Sequence, residues 1–148
     1  MLKSTQVELG NVIVAKNYRG EVVTRRLVGG TYGSVTKWFL IDAYTSELKS
    51  RKRDTAEEVL EGFEILGISG VKTKEEGALV RNIGDYKLGD LFFIIKDGEL
   101  TARQVVGGHA YDDDVYFAID PHTGKRCSRT RETLDEVLES YEVEFILK

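Results

Sequence analysis

The chain contains the same sequence pattern twice, and this repeat limits the folds that it can adopt. The segment FLIDAYTSELKSRKRDTAEEVLEGFE, which begins at Phe39, aligns without a gap with FAIDPHTGKRCSRTRETLDEVLESYE, which begins at Phe117. The same offset holds across residues 20–66, where more than a third of the aligned positions are identical. Such a repeat predicts one supersecondary unit built twice. A site formed by one copy should then have a counterpart in the other.

The repeat divides the 148 residues into three parts. Residues 1–68 are the first copy, residues 69–87 a linker rich in glycine and charge, and residues 88–148 the second copy. Units of this size bury little apolar surface and are marginally stable alone. We therefore expect the copies to pack on each other or on another chain, and a homo-oligomer is one such arrangement.

Each copy is predicted to form several short strands followed by one short helix. Runs of apolar, β-branched and aromatic residues that end at glycine or turn residues are typical of strands. They cover residues 9–15, 22–28, 35–42 and 47–53 in the first copy, and residues 91–95, 100–106, 115–120 and 125–131 in the second. A final strand is expected at residues 64–66 and 142–147, and residues 78–80 of the linker are a candidate for one more.

The helices have the clearest local signal. Thr55-Ala-Glu-Glu58 and Thr133-Leu-Asp-Glu136 match the capping-box pattern, in which the threonine accepts from backbone amides and the glutamate reaches back to the cap. Helices of about ten residues are expected, too short to be stable without packing on a sheet. The predicted fold class is α+β: a tandem duplication of a small antiparallel β-sheet or half-barrel, each copy with one short C-terminal helix.

Two pairs of arginines stand at matching places in the copies, within the shared pattern S-R-x-R-[DE]-T. Side chains two residues apart in a strand point the same way, so Arg51 and Arg53 should share a face, as should Arg129 and Arg131. Guanidinium groups grip phosphate or carboxylate, and the helix start that follows adds N–H donors. The four arginines are therefore candidate ligands of an anion. The alternative is that they pair with helix glutamates and keep an edge strand soluble.

Further candidates lie near the paired glycines of each copy, Gly29-Gly30 and its counterpart, which are expected to end a strand. Such glycines indicate a turn or a close backbone approach, and their amides could also cradle an anion. Arg25 and Arg103 precede the glycines by a few residues in each copy. Trp38 and Tyr116 occupy aligned positions and are candidates for stacking on a nucleobase or for anchoring a protein interface.

Catalytic and metal sites are not predicted. His109 and the run Asp112-Asp113-Asp114 resemble a metal site at first, but the spacing is not that of a calcium loop and the first copy lacks these groups. With two histidines and a single cysteine, Cys127, the sequence offers no triad, zinc set or acid–base pair. We expect a protein that is not an enzyme and needs no cofactor.

Charge and hydropathy indicate where the protein works. The sequence has no apolar run long enough to cross a membrane, and it has no signal-peptide pattern. A single cysteine is consistent with a reducing compartment, so a cytoplasmic location is expected. The net charge of −4 is unevenly spread, with +1 in residues 1–70 and −5 in residues 71–148. This acidity argues against non-specific nucleic-acid binding, although the strip Lys49-Ser-Arg-Lys-Arg53 leaves single-strand binding as a third hypothesis.

The pattern LG-[DN], glycine, strand, [IV]-D-x-x-T-[SG] and capped helix resembles small accessory proteins of tailed phages and mobile elements, some of which disarm host defences. The resemblance covers both repeats and transfers no catalytic residue. It implies a host-cell cytoplasmic protein that sequesters a nucleotide-like defence signal. The leading hypothesis is thus a non-catalytic binder of a small anionic ligand, held by the repeated arginines. The second is a protein-interaction module that inhibits or adapts a host protein.

Overall fold

The part of the chain that the structure describes is mostly β-structure, in two antiparallel sheets with two short helices. The computed structural model describes residues 2–70, 77–111 and 113–148. The first sheet contains β1 (Val12–Lys16), β2 (Val22–Tyr32), β3 (Val35–Asp42) and β4 (Glu64–Ser69). The second contains β5 (Leu79–Val80), β6 (Leu91–Lys96), β7 (Glu99–Ala110), β8 (Asp113–Ile119) and β9 (Phe145–Leu147). The helices are α1 (Ala56–Leu60) and α2 (Leu134–Glu139), with 3-10 turns at Ser4–Gln6 and Ile83–Asp85.

Both sheets have the same strand order over four strands. The first runs β3-β2-β1-β4, and the second, read from the matching edge, runs β8-β7-β6-β9-β5. The additional strand β5 lies in the predicted linker and pairs with β9 at Leu79–Leu147 and Val80–Ile146. The sequence had indicated this strand at residues 78–80. Residues 71–76 of that linker lie outside the described residues.

The two sheets pack face to face and share a core. Buried side chains from both halves form one cluster, in which the Phe39 and Phe117 ring centroids are 4.7 Å apart. The other members of this shared core are Val28, Ile41, Leu48, Val106 and Ile119. The opposite face of each sheet is covered by its own helix and a second core cluster. The expectation that the small units pack on each other is confirmed.

The sequence pattern predicts that the paired glycines end their strands, and this prediction is wrong. β2 and β7 continue through them, because the glycines make hydrogen bonds between the two halves. The Gly29 amide donates to the Gly124 carbonyl (3.1 Å), and the Gly107 amide donates to the Ser46 carbonyl (3.0 Å). Gly29 and Gly107 have φ angles of 126° and 134°, which other residues rarely adopt. A Cβ at either position would clash with a carbonyl oxygen of the paired strand in the same sheet, that of Lys37 or Val115, so both positions require glycine.

The predicted return strands at residues 47–53 and 125–131 are not continuous strands. They touch β3 and β8 only through isolated bridges, such as Trp38–Arg53 and Tyr116–Arg131. The strand pairing is interrupted by a serine that both copies contain. In the first copy, the Leu40 amide donates to the Ser50 hydroxyl (2.8 Å) instead of to a backbone carbonyl. Ser128 accepts from Ala118 in the same way (2.8 Å). The hydroxyl interrupts the ladder, so strict strand alternation does not apply to the arginine pattern.

The helices begin where the sequence placed them and are shorter than predicted. The Thr55 hydroxyl accepts from the Glu58 amide at 3.2 Å, and Thr133 accepts from Glu136 at 3.2 Å. The second half of the capping box takes another form, since each glutamate carboxylate accepts from the threonine hydroxyl at 3.0 Å. In the first copy, Gly62 at φ 85° follows the helix and turns the chain into β4. No helix of the described ranges is long and apolar enough to cross a membrane.

Candidate functional site

The first copy contains a cleft of about 380 Å³, here called the arginine cleft, beside α1. Four cationic residues line it: Arg25 from β2, and Lys49, Arg51 and Arg53 from the segment that follows β3. The irregular path of this segment, caused by the Ser50 hydroxyl, still leaves both Arg51 and Arg53 at the cleft. Its remaining lining is Asn17, Tyr18, Ser50, Glu58, Val59, Glu61, Gly62, Phe63 and Tyr111.

Two of these cations have no ion-pair partner among the described residues. Arg51 and Arg53 are exposed, and neither forms an ion pair with a carboxylate in the part of the chain that the structure describes. Arg25 is partly buried and its Nη1 lies 3.8 Å from the Asp42 carboxylate. The alternative in which the helix glutamates neutralise Arg51 and Arg53 is therefore not what the structure shows. The cleft has more cationic than anionic lining residues.

The Asp42 carboxylate is fixed by the turn that it opens. Burial acts to raise the pKa of Asp42, but the amides of Tyr44 and Thr45 and the charge of Arg25 outweigh it, and the pKa lies below its ordinary value. The two amides donate to Asp42 at 2.8 Å and 3.0 Å. Asp42 therefore stays ionised and partly offsets Arg25, which leaves Arg51 and Arg53 as the uncompensated charges.

The other half of the protein completes the arginine cleft. Tyr111, in the turn between β7 and β8, places its ring 5.0 Å from the Arg51 guanidinium carbon. Tyr111 has a φ of 54°, an uncommon conformation for a tyrosine, and is 57% exposed. A guanidinium resting on an aromatic ring keeps its N–H edge available for a ligand. Sequence reasoning missed this contact because Tyr111 belongs to the other copy.

In the second copy the arginines are placed differently. Arg129 lines a separate surface pocket of about 760 Å³ together with Arg126, Tyr32 and Thr130. Arg126 is buried, and its Nη2 donates to the Val35 carbonyl at 2.9 Å. Burial lowers the pKa of Arg126. Here too a tyrosine of the opposite half lies beside an arginine, with the Tyr32 ring centroid 6.0 Å from Arg126.

Arg131 and Arg103 do not join that pocket. Arg131 is exposed and is not among the residues that line either pocket. Arg103 is 7% exposed and its Nη1 donates to the Ala102 carbonyl at 2.9 Å. Nearby, the Tyr141 hydroxyl donates to the Cys127 carbonyl, and burial raises the pKa of Tyr141 to about 12. The equivalents of Arg25, Arg51 and Arg53 are thus dispersed in the second copy.

Trp38 and Tyr116 lie in the interior of their own halves. Each is partly buried against the core beneath its helix, while the neighbouring Phe39 and Phe117 enter the shared core. Both faces of β3 and β8 are therefore covered at these positions. The aromatic residues that line the arginine cleft are instead the partly buried Phe63, Tyr18, which is 80% exposed, and Tyr111, which is 57% exposed.

The histidine and aspartates of the β7–β8 hairpin form a local pair. His109 Nδ1 lies 2.8 Å from Asp114 Oδ1, and both side chains are exposed. Within the described ranges, no group of three or more His, Cys, Asp or Glu residues could hold a metal ion. Asp112 lies outside those ranges. In comparisons with known proteins, no protein family, no curated protein and no solved structure matches the chain.

Proposed function

We propose that the protein is a non-catalytic binding protein for a small anionic ligand, which occupies the arginine cleft. The observation that carries this proposal is the convergence of three arginines and one lysine on one concave surface, where two of the arginines form no ion pair with any described residue. Guanidinium forks form paired, charge-assisted hydrogen bonds with phosphate or carboxylate oxygens. An anion with several oxygens would satisfy Arg51 and Arg53 together.

The rest of the lining favours a nucleotide-like ligand over a bare anion. Tyr18 and Tyr111 offer ring faces on which a planar base can stack, and Asn17 offers amide hydrogen-bonding groups. The cleft volume of about 380 Å³ falls in the range of small-ligand pockets, roughly 300–1,000 Å³. A phage-encoded protein of this kind, acting in the host cytoplasm, would sequester an anionic defence signal by binding it without turning it over.

The two halves are further proposed to descend from a tandem duplication, with copies at residues 1–68 and 88–148. The equal strand order and the reciprocal hydrogen bonds of Gly29 and Gly107 support this origin. On this view the first copy retains the arginine cleft. The second has diverged, because Arg103 is buried and Arg129 lies with Arg126 in another pocket.

Isothermal titration calorimetry with nucleoside monophosphates, nucleoside diphosphates and cyclic dinucleotides tests the proposal. Arg51→Gln and Arg53→Gln should each weaken binding by about tenfold or more, because each removes a charge-assisted hydrogen bond worth roughly 1.5–3 kcal/mol. Lys52→Gln is the matched control, since Lys52 is exposed and does not line the cleft. Equal affinity in all variants, or no binding by any of these ligands, would contradict the proposal.

A single-stranded oligonucleotide in the same titration separates the nucleic-acid hypothesis from this one. A basic track that neutralises several phosphates gives affinity that falls steeply with salt. A cleft that holds one small anion gives a shallow salt dependence and no gain in affinity as the oligonucleotide lengthens.

A protein-interaction module is the second candidate, and the edge of the first sheet favours it. β9 is covered by β5 in the second sheet, whereas at the matching edge β4 has, among the described residues, only an isolated bridge between Leu2 and Ile65. Leu66 on β4 is 46% exposed. An uncovered edge strand can pair with a strand of another protein. Leu66→Lys should abolish binding to a purified host partner and leave nucleotide titrations unchanged, and the reverse pattern would exclude this edge.

A further inference from the structure

A second pocket, here called the boundary pocket, lies between the two halves and has a volume of about 350 Å³. Arg26 of β2 and Gln104 of β7 both line it, and they occupy equivalent positions in the repeat. The turn after β3 and the segment before β6 complete the wall. Other lining residues include Val12, Thr45, Ser46, Leu88, Asp90 and Leu147.

Arg26 is a buried cation without a direct ion pair among the described residues: burial lowers its pKa, and the nearby charge of Asp120, which does not reach contact distance, only partly opposes this. Its side chain is 5% exposed, and it forms no ion pair within the described ranges. Nε donates to the Gly10 carbonyl (3.0 Å), and Nη2 donates to the Pro121 carbonyl (2.8 Å). A guanidinium has five N–H groups, so three remain without a partner among these residues. Burying a cation in this state is costly unless an anion neutralises it.

Gln104 shows that a neutral side chain can make the equivalent hydrogen bond to the backbone. Its Nε2 donates to the Gly89 carbonyl at 2.6 Å, as Arg26 does to Gly10 in the first half. A neutral amide therefore performs the equivalent structural role in the same fold and at the same pocket. The positive charge of Arg26 exceeds what that role needs, and it lines a pocket large enough for a small molecule.

We propose that the boundary pocket binds a small organic carboxylate, with Arg26 as the residue that anchors its carboxyl group. A carboxylate suits this pocket better than a phosphate because Arg26 is the one cation of its lining, and Asp90 adds a carboxylate that is paired with Lys148 at 2.5 Å. A monoanion would supply the direct ion pair that Arg26 lacks. Leu88 and Leu147 offer apolar surface to a short hydrocarbon substituent, and the Ser46 hydroxyl offers a polar contact.

The test is a nuclear magnetic resonance titration of the ¹⁵N-labelled protein with butyrate. Saturable shifts are expected at the amides of Ser46, Gly89 and Gln104. Butyramide, which has the same shape without the charge, should bind at least tenfold more weakly. Arg26→Gln, which gives the first half the residue of the second, should weaken butyrate binding by at least tenfold. Absence of saturable shifts with butyrate, equal binding of butyramide, or full affinity in the variant would overturn the proposal.

A second variant keeps the test decisive if Arg26→Gln fails to fold. Thr45 is exposed at the rim of the pocket, so Thr45→Glu adds a negative charge without disturbing the core. It should weaken butyrate binding several-fold, while unchanged affinity would contradict the proposal. Inorganic phosphate is titrated in parallel, and tighter binding of phosphate than butyrate at these amides would refute the carboxylate assignment. Shifts confined to Asn17, Gly62 and Tyr111 would report the arginine cleft, so the two sites fail or succeed separately.

Discussion

Gly107→Ala should be among the most damaging single substitutions in the protein. A Cβ at this position would lie 2.0 Å from the Val115 carbonyl oxygen of the paired strand, far inside van der Waals contact. The φ of 134° adds a strain of about 1–3 kcal/mol for a residue other than glycine. Displacing the packed backbone adds about 1–3 kcal/mol more. We expect the free energy of unfolding to fall by about 2–6 kcal/mol.

The chain contains a matched control for the backbone contribution. Gly20 has a φ of 79°, but a Cβ there would meet nothing within 4 Å, so Gly20→Ala should cost only the left-handed strain of about 1–2 kcal/mol. Urea unfolding can be followed by the fluorescence of Trp38, the one tryptophan of the chain. Gly29→Ala, where the Cβ would lie 2.3 Å from the Lys37 carbonyl oxygen, should resemble Gly107→Ala. A loss in Gly107→Ala no larger than in Gly20→Ala would refute the close-approach explanation.

Three other perturbations have defined outcomes in the same urea assay. Tyr86→Phe should cost about 1–3 kcal/mol, because the buried Tyr86 hydroxyl accepts from the Val105 amide at 2.8 Å and the variant leaves that amide unpaired; no loss would mean that water replaces it. Thr133→Ala should lower the free energy of unfolding by about 1 kcal/mol, because the Glu136 amide loses the Thr133 hydroxyl as its acceptor. An unchanged urea midpoint would argue against this N-cap. The pKa of Asp42 is lowered on folding, so its charge stabilises the fold above the unfolded pKa of about 4 and this contribution is lost as the pH falls through the lower, folded pKa. Asp42→Asn should therefore destabilise at pH 7 by up to about 1 kcal/mol and progressively less below about pH 4, and a difference independent of pH would contradict this.

Local and repeated features of the sequence predicted much of the fold. The pattern around Thr55 and Thr133 places both helix starts correctly, because an N-cap is decided by residues within one turn. The constant offset between the copies anticipates the shared strand order. The helix lengths were overestimated, since the apolar stripe continues into Phe63 and Tyr141 although the chain has already turned away from the helix.

Features that depend on contact between the halves were not predictable from one copy. The paired glycines looked like strand ends because their partners, Gly124 and Ser46, belong to the opposite half. The contact of Tyr111 with the arginine cleft was not predictable either, because Tyr111 lies in the opposite half. The sequence does not single out Arg26, because its burial and its lack of a direct ion pair among the described residues are properties of the folded chain. The one signal in the sequence is that the copies differ in charge at this position, with Arg26 in the first and the neutral Gln104 in the second.

If the arginine cleft holds a small anion, native mass spectrometry of the protein purified gently from cells should detect the bound molecule. The wild type should carry an adduct with the mass of a phosphate-containing small molecule. The adduct should persist in Lys52→Gln and disappear in the double variant Arg51→Gln, Arg53→Gln, because only the latter removes the uncompensated cations of the cleft. A wild type without an adduct, or a double variant that retains it in full, would contradict the claim.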